Sequence, residues 1–144
     1  MSSLTEPEGM SATGALPVSM LIADSVVRVS PDASMLRIAD VMTTSGVGAL
    51  VVGGEGRPIG IVSERDLVAA LAARRSPDAT TAADVATTEL VWCDVAATVA
   101  EVAEEMCERY VRHVLVEDDG RLVGIVSARD LLGVYAASDV EFDS

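Results

Sequence analysis

The stretch G-R-P-I-G-I-V-S-E-R-D-L, residues 56–67, returns at residues 120–131 as G-R-L-V-G-I-V-S-A-R-D-L, with nine of twelve positions identical. The offset between the two copies is 64 residues, and a repeat of this length defines the folding unit before any helix or strand is assigned. The chain is therefore predicted to consist of a first repeat, residues 17–80, and a second repeat, residues 81–144. Residues 1–16 are rich in Ser, Thr, Gly, Glu and Pro without periodicity, and they are predicted to form a disordered tail.

The composition limits both the core and the partners. Half of the 144 residues are apolar but only 3% are aromatic, so the core must be built from aliphatic side chains. The net charge is −13, and a protein that binds duplex nucleic acid is expected to be basic. We therefore expect no nucleic acid among the partners.

Neither a membrane span nor a metal site is indicated. No run of 18 apolar residues is present, and the N-terminus carries Glu6 and Glu8 rather than the basic start of a signal peptide. Cys93 and Cys107 are fourteen residues apart and the chain has one histidine, which is not a zinc-binding pattern. We expect a soluble cytoplasmic protein with reduced thiols, no membrane contact and no metal.

Hydrophobic periodicity and turn residues predict the order strand, helix, strand, strand, helix in each repeat. In the first repeat the elements are a strand over residues 26–29, a helix capped by Ser30, strands over residues 50–52 and 59–62, and a helix that starts at Ser63. In the second repeat they are a strand over residues 90–93, a helix capped by Asp94, strands over residues 114–116 and 123–126, and a helix that starts at Ser127. The last two strands of each repeat are expected to form a hairpin.

The predicted elements of one repeat leave one face of its sheet without cover. Two repeats packed sheet to sheet would bury both apolar faces, so the predicted fold is α/β (α+β), with two β-α-β-β-α repeats related by pseudo-twofold symmetry. The first helix of each repeat has an inward stripe at helical spacing. The stripe comprises Met35, Ile38, Ala39 and Met42 in the first repeat, and Val99, Val102, Ala103 and Met106 in the second.

A glycine, a serine and an aspartate recur at the end of each repeated stretch. They are Gly60, Ser63 and Asp66, then Gly124, Ser127 and Asp130. One interpretation is structural, because Ser-x-x-Asp at a helix start is close to a capping box, in which the two side chains satisfy free backbone amides. That interpretation alone explains both copies.

The other interpretation is a ligand site built on the same geometry. A helix N-terminus offers free N–H groups to a phosphate, and the preceding glycine would let a ligand approach the backbone. The carboxylates of Asp66 and Asp130 can accept hydrogen bonds from ribose hydroxyls, and Arg65 and Arg129 can pair with phosphate. The two interpretations are compatible, and both stay open at this point.

The doubled motif, preceded by V-S-P-D-A-S-M-L-R-I-A-D-V-M at residues 29–42, resembles a tandem CBS domain pair (named after cystathionine β-synthase), also called a Bateman module. The resemblance covers residues 17 to about 140. It implies a regulatory module with no catalysis, in which two clefts between the sheets take adenosine-type ligands such as AMP, ADP or ATP. It implies no obligatory cofactor, and an adenine nucleotide as the regulatory ligand.

The resemblance also assigns roles to individual residues. It implies that Asp66 and Asp130 hold ribose hydroxyls and that Ser63 and Ser127 face the phosphates. Backbone and apolar groups around Ala23, Thr87, Val47 and Val111 would hold the base. Arg112 and His113 stand where the first repeat has Gly48 and Ala49, which adds two phosphate-facing candidates to the second repeat.

Two kinds of surface complete the expectations. The last helices of both repeats are apolar on nearly all sides over residues 67–73 and 131–137, which favours a homodimer contact and agrees with the resemblance. A separate effector protein is expected, since no catalytic motif is visible. The alternative to ligand sensing is a ligand-free structural or protein-interaction module, in which Ser-x-x-Asp acts only as a helix cap.

Overall fold

A computed structural model of the chain describes residues 12–22 and 26–143, without the side chains of residues 138–143. The elements in chain order are a 3-10 helix (Val18–Leu21), β1 (Arg28–Val29), α1 (Met35–Ser45), β2 (Ala49–Val52), β3 (Gly60–Ser63), α2 (Glu64–Ala72), α3 (Ala82–Val85), β4 (Trp92–Asp94), α4 (Val99–Arg109), β5 (His113–Asp118), β6 (Arg121–Ser127) and α5 (Ala128–Asp143). The predicted order of strands and helices is confirmed in both repeats.

The strands form two three-stranded sheets with the same topology, in the orders β1-β2-β3 and β4-β5-β6. In each sheet the first two strands are parallel and the last two antiparallel. The central strand is buried at Leu50, Val51 and Val52 in one sheet and at Val114, Leu115 and Val116 in the other. The mixed α/β fold class is therefore confirmed, with an aliphatic core as the composition predicted.

The chain divides into two compact units. The middle unit is Val26–Leu90, and the split unit comprises Met1–Ser25 and Val91–Ser144, of which residues 12–22 and 91–143 are described. Each unit has its own hydrophobic core. The core of the middle unit includes Met35, Ile38, Leu50, Val62 and Leu67, and that of the split unit includes Val18, Val99, Val102, Val126 and Leu131.

The compact units begin and end at different residues from the sequence repeats 17–80 and 81–144, because the first residues of each repeat pack onto the other repeat. Val18 has 0% exposure within the core of the split unit, and its N–H donates to the carbonyl of Ala97 at 2.7 Å. Ala82, the residue 64 positions later, has 0% exposure within the core of the middle unit. Each unit is therefore completed by a short segment of the opposite repeat.

The first helix of each repeat starts four residues later than predicted. The N-cap of α1 is Ser34 rather than Ser30, and the N-cap of α4 is Thr98 rather than Asp94. The predicted caps instead form local turns, in which Ser30 Oγ accepts from the Asp32 N–H at 3.2 Å and Asp94 Oδ2 accepts from the Ala96 N–H at 2.8 Å. Short polar side chains stabilise such turns as readily as helix caps, so the pattern fits two positions.

The predicted inward stripes of α1 and α4 are largely confirmed. Met35, Ile38 and Met42 are buried on α1, as are Val99, Val102 and Met106 on α4. Ala103 is half-buried against the core of the split unit. Ala39 is exposed, so its predicted inward position is wrong.

The two hairpins differ although the repeats align without a gap. Strands β5 and β6 meet in a tight turn, with Asp119 and Gly120 at φ of 55° and 82°, which is the conformation of a two-residue hairpin loop. Strands β2 and β3 stop earlier, at Val52 and Gly60. Pro58 occupies the position equivalent to Leu122, and because proline has no N–H it cannot continue the ladder.

The tail is partly ordered. Residues 12–14 are helical, and Thr13 is 4% exposed. A Cβ built on Gly14 would lie 3.2 Å from Ala100 Cβ and 3.4 Å from the Tyr135 hydroxyl, so this segment packs on the split unit. The prediction of disorder is therefore wrong for residues 12–16, and residues 1–11 lie outside the described residues. In residues 12–22 and 26–143, no helix has the length and apolar character needed to cross a membrane.

Candidate functional site

A complete capping box joins Ser63 and Asp66 at the N-terminus of α2. Ser63 Oγ accepts from the Asp66 N–H at 3.3 Å, and Asp66 Oδ2 accepts from the Ser63 N–H at 2.8 Å and from the Ser63 hydroxyl at 3.1 Å. Both residues are half-buried. The structural interpretation of the motif is therefore observed in the first repeat.

The second repeat has the same box at the N-terminus of α5. Asp130 Oδ2 accepts from the Ser127 N–H at 2.9 Å, and Ser127 Oγ accepts from the Asp130 N–H at 3.0 Å. In both repeats the bonds of the box end on Oδ2, so the second carboxylate oxygen is not part of it. The cap thus holds each aspartate in place without using all of its acceptor capacity.

The two glycines of the motif pack closely against a segment from the other repeat. A Cβ built on Gly60 would lie 2.8 Å from the carbonyl oxygen of Thr87 and 3.0 Å from Ala86 Cβ. A Cβ on Gly124 would overlap the side chain of Ile22, which is the equivalent of Ala86. The expectation that these glycines leave the backbone open to a ligand is therefore wrong, because the segment from the other repeat occupies that space.

Thr87 is brought next to the strand that leads into the first box. Its N–H donates to the Ile61 carbonyl at 2.8 Å, and its carbonyl accepts from the Ile61 N–H at 3.0 Å. Ile61 is two residues before Ser63, and Thr87 is exposed. The base-holding candidate from the second repeat therefore lies in the same compact unit as Ser63 and Asp66. Ala23, its counterpart for the second box, lies outside the described residues.

Residues before β2 and β5 complete the surroundings of the two boxes. The carbonyl of Gly48 accepts from the Glu64 N–H at 3.0 Å, and the carbonyl of Arg112 accepts from the Ala128 N–H at 2.8 Å. These bonds place positions 48 and 112 at the N-termini of α2 and α5.

The neighbouring residue in each repeat pairs directly with the motif serine. Ala49 is paired with Ser63, and His113 with Ser127. Directly opposite residues of antiparallel strands project to the same face of a sheet. The structure therefore brings His113 beside Ser127, and the role of His113 toward phosphate stays a prediction.

The two valines proposed for base binding make backbone hydrogen bonds at the C-terminal ends of α1 and α4. The Val47 N–H donates to the Met42 carbonyl at 3.2 Å, and the Val111 N–H donates to the Met106 carbonyl at 3.1 Å. Both side chains are partly buried against the cores of their units. They lie one residue before Gly48 and Arg112, close to the helix N-termini that carry the boxes.

Charged groups differ between the two boxes. Arg65 and Arg129 are exposed at the second helical position of α2 and α5. Glu64 precedes Arg65, and its Oε1 would lie 3.2 Å from a Cβ built on Gly48. The sequence interpretation missed Glu64, although it is one of the three positions at which the repeated stretch changes. No cluster of three or more metal-ligating side chains occurs among the described residues.

The comparisons with known proteins agree on one family. The family model for the CBS domain matches the chain twice, at residues 18–73 and 82–137. An uncharacterized protein of Methanopyrus kandleri, MK0525, is 32% identical over 121 residues, covering 81% of this chain and 62% of that protein. The chain therefore spans less than two thirds of that relative's length.

Two solved structures share the fold. The CBS-domain containing protein ATU1752 from Agrobacterium tumefaciens is 34% identical with a TM-score of 0.74, covering 83% of this chain and 93% of that one. The CBS domain protein PAE2072 from Pyrobaculum aerophilum, solved in complex with AMP, is 29% identical with a TM-score of 0.72, covering 85% of this chain and 99% of that one.

Proposed function

The chain belongs to the CBS domain family as a tandem pair, and from that premise we propose that it is a regulatory module that binds an adenosine-type nucleotide at its two capping-box motifs. The observation that carries the proposal is the doubled box, in which Asp66 and Asp130 each keep a carboxylate oxygen outside the cap. The relative solved in complex with AMP supports the choice of ligand class. The proposed role is regulatory and includes no reaction.

The proposed contacts follow from the chemistry of each group. The carboxylate oxygen of Asp66 or Asp130 that lies outside the box accepts from ribose hydroxyls. The helix N-terminus, with Ser63 or Ser127 and the neighbouring Arg65 or Arg129, attracts phosphate. The backbone groups of Thr87 are both paired with Ile61, so this exposed residue offers its hydroxyl group to the base, together with the backbone near Val47 and Val111.

Thermal shift is the direct test of binding. The purified chain is heated with AMP, ADP, ATP, NAD, S-adenosylmethionine and cyclic dinucleotides in turn. A ligand at 100 times its dissociation constant should add about 2.7 kcal/mol to the free energy of unfolding. A shift confined to adenosine compounds supports the proposal, and no shift with any of them contradicts it.

A matched set of variants separates binding from capping. Asp66→Asn and Asp130→Asn keep an oxygen that can accept the cap N–H but remove the charge and one acceptor, so binding should fall while stability changes little. Asp84→Asn is the control, because Asp84 closes a capping box with Thr81 outside the motif. Unchanged nucleotide binding in the double variant would remove Asp66 and Asp130 from the proposed site.

The proposal includes a homodimer formed through α2 and α5. Val68 and Leu71 on α2 are 63% and 53% exposed, and Leu132 on α5, the equivalent of Val68, is 69% exposed. Lysine at these three positions should convert a dimer to a monomer in sedimentation equilibrium. Leu36→Lys on α1, where the side chain is 53% exposed, is the control that should leave the mass unchanged.

The regulated process is proposed to reside in a separate effector protein. The competing function, a ligand-free interaction module, is favoured by the complete hydrogen bonding of both boxes. Under that function no nucleotide shifts the unfolding temperature of the unmodified chain, and Asp66→Ala with Asp130→Ala lowers stability by about 1 kcal/mol per cap.

A further inference from the structure

We infer that the two boxes select different ligand chemistry: the Ser127–Asp130 box takes a nucleotide with its phosphates, and the Ser63–Asp66 box prefers an uncharged nucleoside. This inference rests on the proposed function and deepens it. The supporting observation is a difference in side chains between two equivalent residue pairs, Gly48 with Glu64 and Arg112 with Ala128. The same backbone hydrogen bond joins the two residues of each pair.

In the middle unit, the residue pair Gly48 and Glu64 carries a negative charge. The Glu64 N–H donates to the Gly48 carbonyl at 3.0 Å, and the Glu64 carboxylate turns back over Gly48, with Oε1 3.2 Å and Cδ 3.5 Å from the Cβ that Gly48 lacks. The carboxylate therefore lies beside Gly48, whose carbonyl is bonded to the first N–H of α2, at the helix N-terminus that a phosphate would approach. Because Gly48 has no side chain, nothing at that position offsets the charge.

In the split unit, the equivalent residue pair, Arg112 and Ala128, carries a positive charge. The Ala128 N–H donates to the Arg112 carbonyl at 2.8 Å, so Ala128 replaces Glu64 and Arg112 replaces Gly48. Arg112 is exposed, and His113 lies directly across from Ser127. The two boxes thus differ by two units of charge at the helix N-terminus, with Arg65 and Arg129 common to both.

The sign of the difference follows from Coulomb's law. A carboxylate within a few ångströms of a phosphate opposes its binding, and a guanidinium favours it, each by on the order of tenfold in affinity when the charged groups stay in contact with water. Adenosine has no phosphate and is not affected in this way. Added salt should narrow the difference between the boxes, since the groups are exposed.

Single-box proteins allow each site to be measured alone. Asp66→Asn leaves the Ser127–Asp130 box, and Asp130→Asn leaves the Ser63–Asp66 box. Each protein is titrated calorimetrically with ATP, AMP and adenosine. The Asp66→Asn protein should bind ATP at least about tenfold more tightly than adenosine, and the Asp130→Asn protein should bind adenosine at least as tightly as ATP.

Exchange of the charged side chains then tests the cause. In the Asp130→Asn protein, Gly48→Arg with Glu64→Ala should raise ATP affinity by on the order of a hundredfold and leave adenosine affinity unchanged. In the Asp66→Asn protein, Arg112→Gly with Ala128→Glu should produce the opposite change. Glu55→Ala, which removes an exposed acid elsewhere in the middle unit, is the control.

The outcomes separate the inference from the proposed function. Equal preference of the two boxes for ATP over adenosine, or exchanges without effect on ATP affinity, would overturn the inference and leave the proposed function intact. Absence of binding of every compound to the unmodified chain would overturn the proposed function, and the inference with it.

Discussion

Gly60 and Thr87 approach so closely that a Cβ on Gly60 would lie 2.8 Å from the Thr87 carbonyl oxygen. Two backbone hydrogen bonds between Ile61 and Thr87 hold the segments at that distance. The glycine that precedes the first box is therefore required by the segment that the second repeat contributes to the middle unit. Fold and candidate site are linked at this position.

Replacement of Gly60 by alanine is expected to destabilise the chain by about 1–3 kcal/mol, because the atom it meets is backbone and must move. Gly124→Ala should cost about as much, since its Cβ would meet the Cβ and both γ carbons of the β-branched Ile22 side chain, which rotation about χ1 cannot move away together. Urea unfolding measures both values. Gly56→Ala is the control, as nothing lies within 4 Å of its Cβ position and its change should stay within about 0.5 kcal/mol. An equal cost at positions 56 and 60 would contradict the proposed role of Gly60.

Much of the fold was predictable because the repeat supplied each element twice. A strand or helix suggested by the periodicity near Val51 was suggested again near Leu115, and both central strands were found. The exchange of Val18 and Ala82 between the repeats was not predictable, since a short apolar segment packs equally well on either of two similar cores. The late helix starts at Ser34 and Thr98 could not be resolved, because turns and caps use the same side chains.

Only the part of the candidate site that is local in sequence was predictable. The serine and aspartate of each box are local in sequence, so their spacing alone indicated the helix N-termini. Thr87 could not be assigned to the first box from its place in the second repeat. Glu64 was visible as a change between the copies, but its position over Gly48 depends on a side-chain conformation that spacing does not determine.

Val18→Ala is expected to destabilise the split unit by about 2 kcal/mol, because it removes a side chain with 0% exposure from that unit's core. Leu36→Ala, at a position that is 53% exposed and outside the proposed dimer contact, is the control and should change stability by less than about 0.5 kcal/mol. Hydrogen exchange can assign the effect to a unit. Faster hydrogen exchange in β4–β6 with little change in β1–β3 is expected. The reverse pattern would contradict the packing of Val18 in the core of the split unit.

Tyr110 ends α4 in the left-handed conformation, with φ of 57°, where its equivalent Gly46 ends α1 with φ of 70°. The tyrosine side chain is 94% exposed, so no burial offsets the strain. Tyr110→Gly is expected to stabilise the chain by up to about 1 kcal/mol, and Gly46→Ala to destabilise it by about 1 kcal/mol. Thermal unfolding measures both. Loss of stability in the Tyr110→Gly variant would show that the aromatic ring makes a contribution that its exposure does not suggest.

The two cysteines should differ in reactivity. Burial, assisted by the negative charges of Asp94, Glu105 and Glu117, raises the pKa of the half-buried Cys93 thiol to about 11. Because the thiolate is the reactive form, Cys93 should react with a disulfide reagent at pH 8 at least about tenfold more slowly than the exposed Cys107. The variants Cys107→Ser and Cys93→Ser allow each rate to be measured alone.

The pH dependence of the Cys93 rate supplies the decisive check. The folded thiol keeps its proton above the ordinary pKa of 9.0, so the rate measured in Cys107→Ser should rise about tenfold per pH unit from pH 8 to pH 10. Over the same interval the unfolded chain loses the proton first, and the contribution of Cys93 to stability, complete below pH 9, should decline as the pH approaches 11. A rate that levels off near pH 9 would mean that Asp94, Glu105 and Glu117 do not act on the thiol and that the side chain is open to solvent.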